Sequence, residues 1–305
     1  MNSVCHMEIE QDMTVDQLVN MMEKCGFGAR RLAEATNIYH DMLKGNYNKF
    51  FTLAGAMVPA GMRNIVSDLI RNGHIDVLIS TGANLSHDII ECFSHHILGD
   101  SEASDLDLRR EGVSRIYDIY VSDEDFSQFE ELLLNILPDT PDIISGTEFL
   151  KILGRQLDDE KSILKSAADC DVPIFCPAIS DSIIGLQTWL HRQTHKLPVD
   201  SFADLDQLVE ICYQVEHAGI LMIGGGVPKN FALQSMLVTP NSFDLAIQLT
   251  GDRPEWGGLS GATLSEAVSW GKISPQARAA TVYGDATINF PIMVAATLSR
   301  LSKNK

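Results

Sequence analysis

The stretch GILMIGGGVPKN, Gly219 to Asn230, joins a continuous apolar run to three glycines and then to Pro228. An unbroken apolar run bounded by a turn marks a strand buried on both faces. Glycines directly after it let the backbone turn tightly, and a proline suits the first turn of a helix. Gly224, Gly225 and Gly226 therefore read either as a plain tight turn or as a phosphate cradle at a helix N-terminus. The spacing is not the GxGxxG fingerprint.

The same order of strand, small-residue turn and helix recurs along the chain. Phe50 to Leu53 in KFFTLAGAMVPAG leads to a helix over 59–72, and IDVLIS, Ile75 to Ser80, leads through the turn TGANLS to a helix beginning at HDIIECF. Further units are VPIFCPAISDS, FDLAIQLT and TVYGDATINFP. Helical spacing of Val15, Leu18, Val19 and Met22, then of Leu32, Ala35, Ile38 and Met42, adds N-terminal helices within 14–46. Alternating β and α units predict an α/β fold with a mostly parallel sheet covered by helices on both faces. Ligands of such sheets collect beyond the carboxyl ends of the strands. No linker or repeat interrupts the chain, so 1–305 reads as a single domain, with the polar stretch Gly99 to Pro141 as a surface excursion or interface segment.

Composition narrows the function. The 305 residues are 45 % apolar, enough for a full core. Their formal charge of −18 comes from 41 acidic against 23 basic residues. Nucleic acid and anionic membranes are poor partners for such a chain, and cationic amines are favoured ones. Six scattered cysteines without a CxxC pair read as mostly buried thiols in a reducing compartment. The start MNSVCHMEIEQDM lacks the basic head and apolar run of a signal peptide, and no stretch reaches membrane-spanning length. A cytoplasmic protein without a membrane partner is expected.

One lysine stands out. In SEAVSWGKI, Ser265 to Ile273, Lys272 is either a cation that complements a helix end or an amine reserved for covalent chemistry against the wall of Trp270. Desolvation there would lower its pKa and free the nucleophile. Upstream, Gly257, Gly258 and Gly261 form a close-approach loop, and the turns STGANLS and LAGAMVPAG join the triple glycine as backbone-rich segments. Together they suit one extended ligand such as a dinucleotide. A lysine with a glycine phosphate turn is also compatible with pyridoxal phosphate. Asp181 and Asp285 follow strands, as helix caps or as holders of a ribose or amine. His191 and His195 lack the glutamate of HExxH and read as surface histidines, adjacent His95 and His96 cannot share a helix face, and no metal site is expected.

SEAVSWGKI, GGLSGA, GGGVPK and YGDATINFP, with FFTLAGAMVPAGMR, DVLISTGANLSHD and FCPAISDS in the same order from about Asn48 onward, resemble deoxyhypusine synthases. The resemblance implies a Rossmann-like doubly wound sheet and a homotetramer with sites at subunit interfaces. It also implies a transferase chemistry. NAD oxidises the polyamine spermidine, 1,3-diaminopropane leaves, and the aminobutyl group rides as an imine on Lys272 before passing to an acceptor amine. That acceptor is a translation-factor lysine in the parent enzymes, and the small amine putrescine in relatives that make homospermidine.

By the same resemblance, Gly55, Ala56, Thr81, Gly82, Ala83, Asp181, Gly224, Gly226, Gly258, Ser260 and Asp285 would bind the cofactor. Asn230, Gln234, Glu266 and Trp270 would line the amine pocket. The chain departs from the pattern where Asn230 takes the place of the family's catalytic histidine and Gln234 that of an asparagine. Leu186 and Leu259 take the places of spermidine-binding aspartates, and His87 falls near that of a ribose-holding glutamate. An amide takes no proton at neutral pH, and an ammonium buried without its carboxylate is costly. Changed substrate use, or a non-catalytic NAD-binding paralogue, are the alternatives these departures raise.

Overall fold

The computed structural model describes residues 3–303. Their packing divides into two compact units, each discontinuous in sequence. The first runs up to Leu53, takes in His74–Ile79 and resumes at Gln207; the second is Ala54–Gly73 with Ser80–Asp206.

The first unit is built on parallel strands in the order Ile273–Tyr283, Phe243–Thr250, Ala218–Ile223, Asn48–Leu53, Val77–Ser80. Asn48 to Leu53 align with Ala218 to Ile223 without a break. Leu245 to Leu249 align with Gly219 to Ile223 on the other side. All six residues of Ala218–Ile223 are buried, as the apolar run predicts for a central strand. Strand Ile273–Tyr283 is largely exposed up to Ala279 and more covered from Ala280 on, and it tolerates Pro275 because an edge strand has ladder positions with no partner to donate to.

Helix Phe27–Lys44 packs against the edge strand and against helix Ala286–Lys303. Helix Val15–Met22 opens with a capping box between Thr14 and Gln17. Its buried Asp16 accepts from Arg300 Nε at 2.6 Å and Lys303 Nζ at 2.9 Å, tying the first helix to the last. Inside, Phe50 and Phe243 meet edge to face at 5.2 Å between ring centroids.

The second unit is largely helical and centres on a buried ion pair. Arg63 Nε donates to Asp88 Oδ1 at 2.7 Å, and Asp88 also accepts from the Ser162 hydroxyl and from the backbone N–H groups of Ile163 and Leu164. The carboxylate thereby caps helix Ile163–Asp169 from a distance.

Several expectations are corrected. TGANLS is no turn: Thr81 caps a helix that starts at Gly82. The helix expected over 59–72 is interrupted at Gly61, φ +87°, and becomes regular only at Arg63. The strand in VPIFCP shrinks to Ile174–Phe175. Gly99 to Pro141 holds the antiparallel pair Val113–Ile116 and Ile119–Ser122 and the helix Asp123–Ile136, whose Phe129 and Leu133 are fully buried. Its polar residues are one face of amphipathic elements. Of the six cysteines only Cys176 and Cys212 are buried, and Cys5 and Cys170 are exposed.

Candidate active site

Lys272 owes its place to the glycine before it. Thr263 caps the short helix Leu264–Ser269 by accepting from Glu266 N, and the helix ends at Trp270. Gly271 then adopts φ +74°, a left-handed conformation that turns the chain at once into strand Ile273–Tyr283. Lys272 Nζ comes to lie 5.5 Å from the Trp270 ring centroid. Lys272 O accepts from Phe243 N, so the lysine stands at the amino ends of the strands, not the carboxyl ends.

The opposite wall is helix Gly226–Leu237. Lys229, Asn230, Leu233, Gln234 and Leu237 follow at intervals that share one helix face. With Leu259, Glu266, Trp270 and Lys272 they line a cavity of about 370 Å³. All five residues named for catalysis and amine binding, Lys272, Asn230, Gln234, Glu266 and Trp270, thus border one space within the first unit. Asn230 Nδ2 donates to Gln234 Oε1 at 3.0 Å. Glu266 is the single carboxylate of this lining.

The lysine with the strongest burial is another one. Lys272 is half-buried and Trp270 is 60 % exposed, so the apolar wall expected around Lys272 is thin. Lys229 is 3 % exposed. Burial lowers its pKa to about 8, opposed by Glu266 and reinforced by Lys272. Lys229 was not singled out in the sequence; its signal was a lone cation among Ala232, Leu233 and Met236 on a buried helix.

The cofactor candidates fall into two groups. In the first unit, Gly224 and Gly226, Gly258 and Ser260, and Asp285 follow the carboxyl ends of three adjacent parallel strands. Gly224 and Gly226 have φ of +72° and +59°. A Cβ at position 225 would lie 2.4 Å from Ser260 Cα, whereas one at 226 or 258 would meet open space. The N-cap of helix Gly226–Leu237 is Gly225, which has no side chain to offer, and the first helical N–H, that of Gly226, donates to Ser260 Oγ. A glycine cradle that is open on one side at a helix N-terminus fits a phosphate-bearing cofactor. Asp285 accepts from Thr287 N and Oγ1, each at 2.8 Å, in the capping role.

In the second unit, Gly55, Ala56, Thr81, Gly82 and Ala83 are gathered by a residue the sequence reading passed over. Asn84 Nδ2 donates to Gly55 O at 2.7 Å and to Thr81 Oγ1 at 3.1 Å, while its Oδ1 accepts from Val58 N. Gly82 is needed for packing, since a Cβ there would lie 2.5 Å from Ser182 Cβ. Asp181 is exposed, one residue before the helix cap Ser182. His191, expected at the surface, is buried: Nε2 lies 3.2 Å from Pro138 O, and the ring stacks on exposed His195 at 4.2 Å.

Residues 17–297 match the sequence profile of the family described as deoxyhypusine synthase. The chain belongs to the deoxyhypusine synthase family. It is 54 % identical to "Probable deoxyhypusine synthase 1" of Methanosarcina mazei, with 97 % of this chain and 94 % of the relative aligned. It is 44 % identical to the Archaeoglobus fulgidus protein of the same name over 97 % and 98 %. Among solved structures, a deoxyhypusine synthase candidate from Entamoeba histolytica shares the fold at a TM-score of 0.66 and 18 % identity, over 95 % of this chain and 94 % of that one. Membership of the deoxyhypusine synthase family makes the protein a transferase.

Against that family's pattern the departures now have places. Leu259 is 53 % exposed on the cavity rim, and Leu186 lies on helix Ile183–His191 in the second unit. His87 belongs to a chain of its own, with Nδ1 2.8 Å from His96 Nε2, while His96 Nδ1 bonds to Glu91. Burial, with His96 adding to it, lowers His87 to about 4. Burial raises Glu91, but hydrogen bonds from His96 and His95 outweigh it and bring the carboxyl down to about 2. Among the described residues, no helix is long and apolar enough to cross a membrane.

Proposed function

We propose that this protein transfers a 4-aminobutyl group from spermidine or a related amine, through an imine on Lys272, to an acceptor amine. The observation that carries the reading is the single cavity bordered by Lys272, Glu266, Trp270 and Asn230 in a chain of this transferase family. Glu266 supplies the carboxylate for a substrate ammonium. The indole of Trp270 suits both the alkyl chain and the charge.

NAD, when bound, accepts a hydride from the donor amine and returns it to the product. In the first unit the residues that would hold it are Gly224, Gly226, Gly258, Ser260 and Asp285; for the second unit the family likeness names Gly55, Ala56, Thr81, Gly82, Ala83 and Asp181. Once the donor carries a carbon–nitrogen double bond, the Lys272 amine adds to that carbon and 1,3-diaminopropane departs, leaving the aminobutyl group on Nζ. The acceptor amine displaces Lys272 in the same way. Asn230 binds and orients but moves no proton. Glu266 or a water beside it takes that part. The family likeness further supports a cytoplasmic homotetramer with 1–305 as one catalytic domain, and no nucleic-acid or membrane partner.

One observation favours a second reading of the acceptor. The lining offers one carboxylate and places Leu259 on the rim, which suits a small amine such as putrescine, with homospermidine as product. The test is incubation with NAD and spermidine, alone, with putrescine, or with a precursor translation factor, followed by mass spectrometry. Release of diaminopropane is expected. Lys272→Ala should abolish product and any borohydride-trapped adduct while NAD binding persists. Activity retained in Lys272→Ala removes the covalent role, and NAD binding without diaminopropane leaves a non-catalytic paralogue.

A further inference from the structure

No step of the proposed reaction uses Lys229, although it is the most deeply buried cation of the cavity. Its Nζ donates to Gln248 Oε1 at 3.0 Å, Leu259 O at 3.3 Å and Ala262 O at 2.5 Å. An ammonium has three N–H donors, so all of them are engaged and the head group has one orientation. Gln248 Nε2 extends the network to Gly224 O and Ser260 O, both at 2.9 Å. Ser260 Oγ closes it by accepting from Gly226 N at 2.9 Å.

The other hydrogen bonds of this segment are mostly its own turns, Gly257 N to Pro254 O and both Gly261 N and Ala262 N to Gly258 O, with Thr250 Oγ1 donating to Ser260 O at 3.5 Å. Residues 253–259 are all exposed, so no apolar burial anchors that half of the loop. Through Gln248 and Ser260 the network fixes the loop against the glycine turn; through Leu259 and Ala262 it fixes the rim of the amine cavity. The loop then runs into Thr263, the cap of the helix that carries Glu266.

We propose that Lys229 is a positioning residue, a buried clamp that holds loop 257–263 in the one shape that serves the glycine turn and the amine cavity together. The ligands assigned to those two places rest on the function proposed above, but the clamp is a property of the free protein. A neutral amine keeps only two N–H donors and must release one of the three oxygens. The charged groups facing Lys229 are Glu266, which favours its cation, and Lys272, which opposes it; Gln248 is neutral. The loop is therefore tight at neutral pH and loosens as pH rises through about 8.

Hydrogen–deuterium exchange on the full-length protein tests this, with rates corrected for intrinsic exchange from pH 7 to 9.5. In Lys229→Met, the amides of 257–263 should exchange at least tenfold faster at pH 7 while the sheet is unchanged. Gln248→Leu should loosen the same amides, and the wild-type profile stands by itself should either variant fail to fold. Wild-type loop exchange should rise through about pH 8 and be flat in Lys229→Met. Calorimetry with NAD should show about tenfold weaker binding in Lys229→Met and unchanged binding in Lys272→Ala. Loop exchange indifferent to Lys229→Met and to pH, or raised equally across the whole sheet, overturns the clamp. A pH-dependent loop in a wild-type protein that binds no NAD supports the clamp and overturns the function proposed above.

Discussion

Glu266, Asn230 and Lys272 bring a carboxylate, an amide and an amine to one cavity, and single substitutions should separate their proposed roles. Glu266 faces the space as its only carboxylate. Hydrogen bonds to charged groups contribute about 1.5–3 kcal/mol, so Glu266→Gln should raise the amine KM by about 10- to 100-fold, with a smaller effect on NAD affinity; titrating both ligands checks it. Asn230 borders the same space and its amide donates to Gln234. Asn230→His would put an imidazole where the sequence resemblance places a catalytic base, and general-base catalysis is typically worth about 10²–10⁴-fold. Turnover should therefore rise and follow an imidazole titration. A flat pH–rate profile in that variant would mean that proton transfer was never limiting. Which lysine stays accessible and which is sequestered is a matter of one residue's surroundings: a tryptophan that stays 60 % exposed beside Lys272, and three oxygens around Lys229.

Short elements place these residues. The six-residue helix Leu264–Ser269 has almost no intrinsic stability. Its cap Thr263 and the reversal at Gly271, φ +74°, set where Glu266 and Lys272 point. An alanine forced into the left-handed region costs about 1–2 kcal/mol, so Gly271→Ala should lower Tm by several degrees or less. It should also reduce turnover more than it reduces stability, because the strain sits one residue from Lys272; melting curves and kcat on the same sample decide. The helix Gly226–Leu237 carries the other wall as a rigid face, with Lys229 and Leu233 on adjacent turns. Its glycine N-terminus and its cavity face, which begins at Lys229, belong to one element, which is why cofactor and amine candidates share a helix.

Across the molecule, charge governs the response to acid. His87 has a folded pKa of about 4, below its unfolded value, so the unfolded chain binds the extra proton first and stability falls as pH drops from about 6.5 to about 4. Glu91, held at about 2, contributes stability above its unfolded pKa that is lost as pH falls from about 4.5 toward 2. Both act in one direction, so Tm should decline steadily below about pH 6.5. In Glu91→Gln the decline below pH 4.5 should be shallower, the remainder coming from other carboxylates held low, such as Asp16 and Asp159, as acid melting curves would show. Much of the fold was legible in advance. Continuous apolar runs such as GILMI and FDLAIQLT, each followed by small residues, specify buried parallel strands by local pattern alone, and the structure has them at Ala218–Ile223 and Phe243–Thr250. The lysine after Trp270 and Gly271 was equally plain, because the motif is contiguous. What local pattern cannot carry is burial set by distant segments. Gln248, Leu259 and Ala262 lie 19 to 33 residues from Lys229 in the chain, and Asn84 binds Gly55 across 29. The sequence by itself determined the central strands, the triple-glycine turn and the candidate nucleophile; only the tertiary structure decided which lysine loses its water, because desolvation depends on oxygens and apolar walls that chain folding brings from elsewhere.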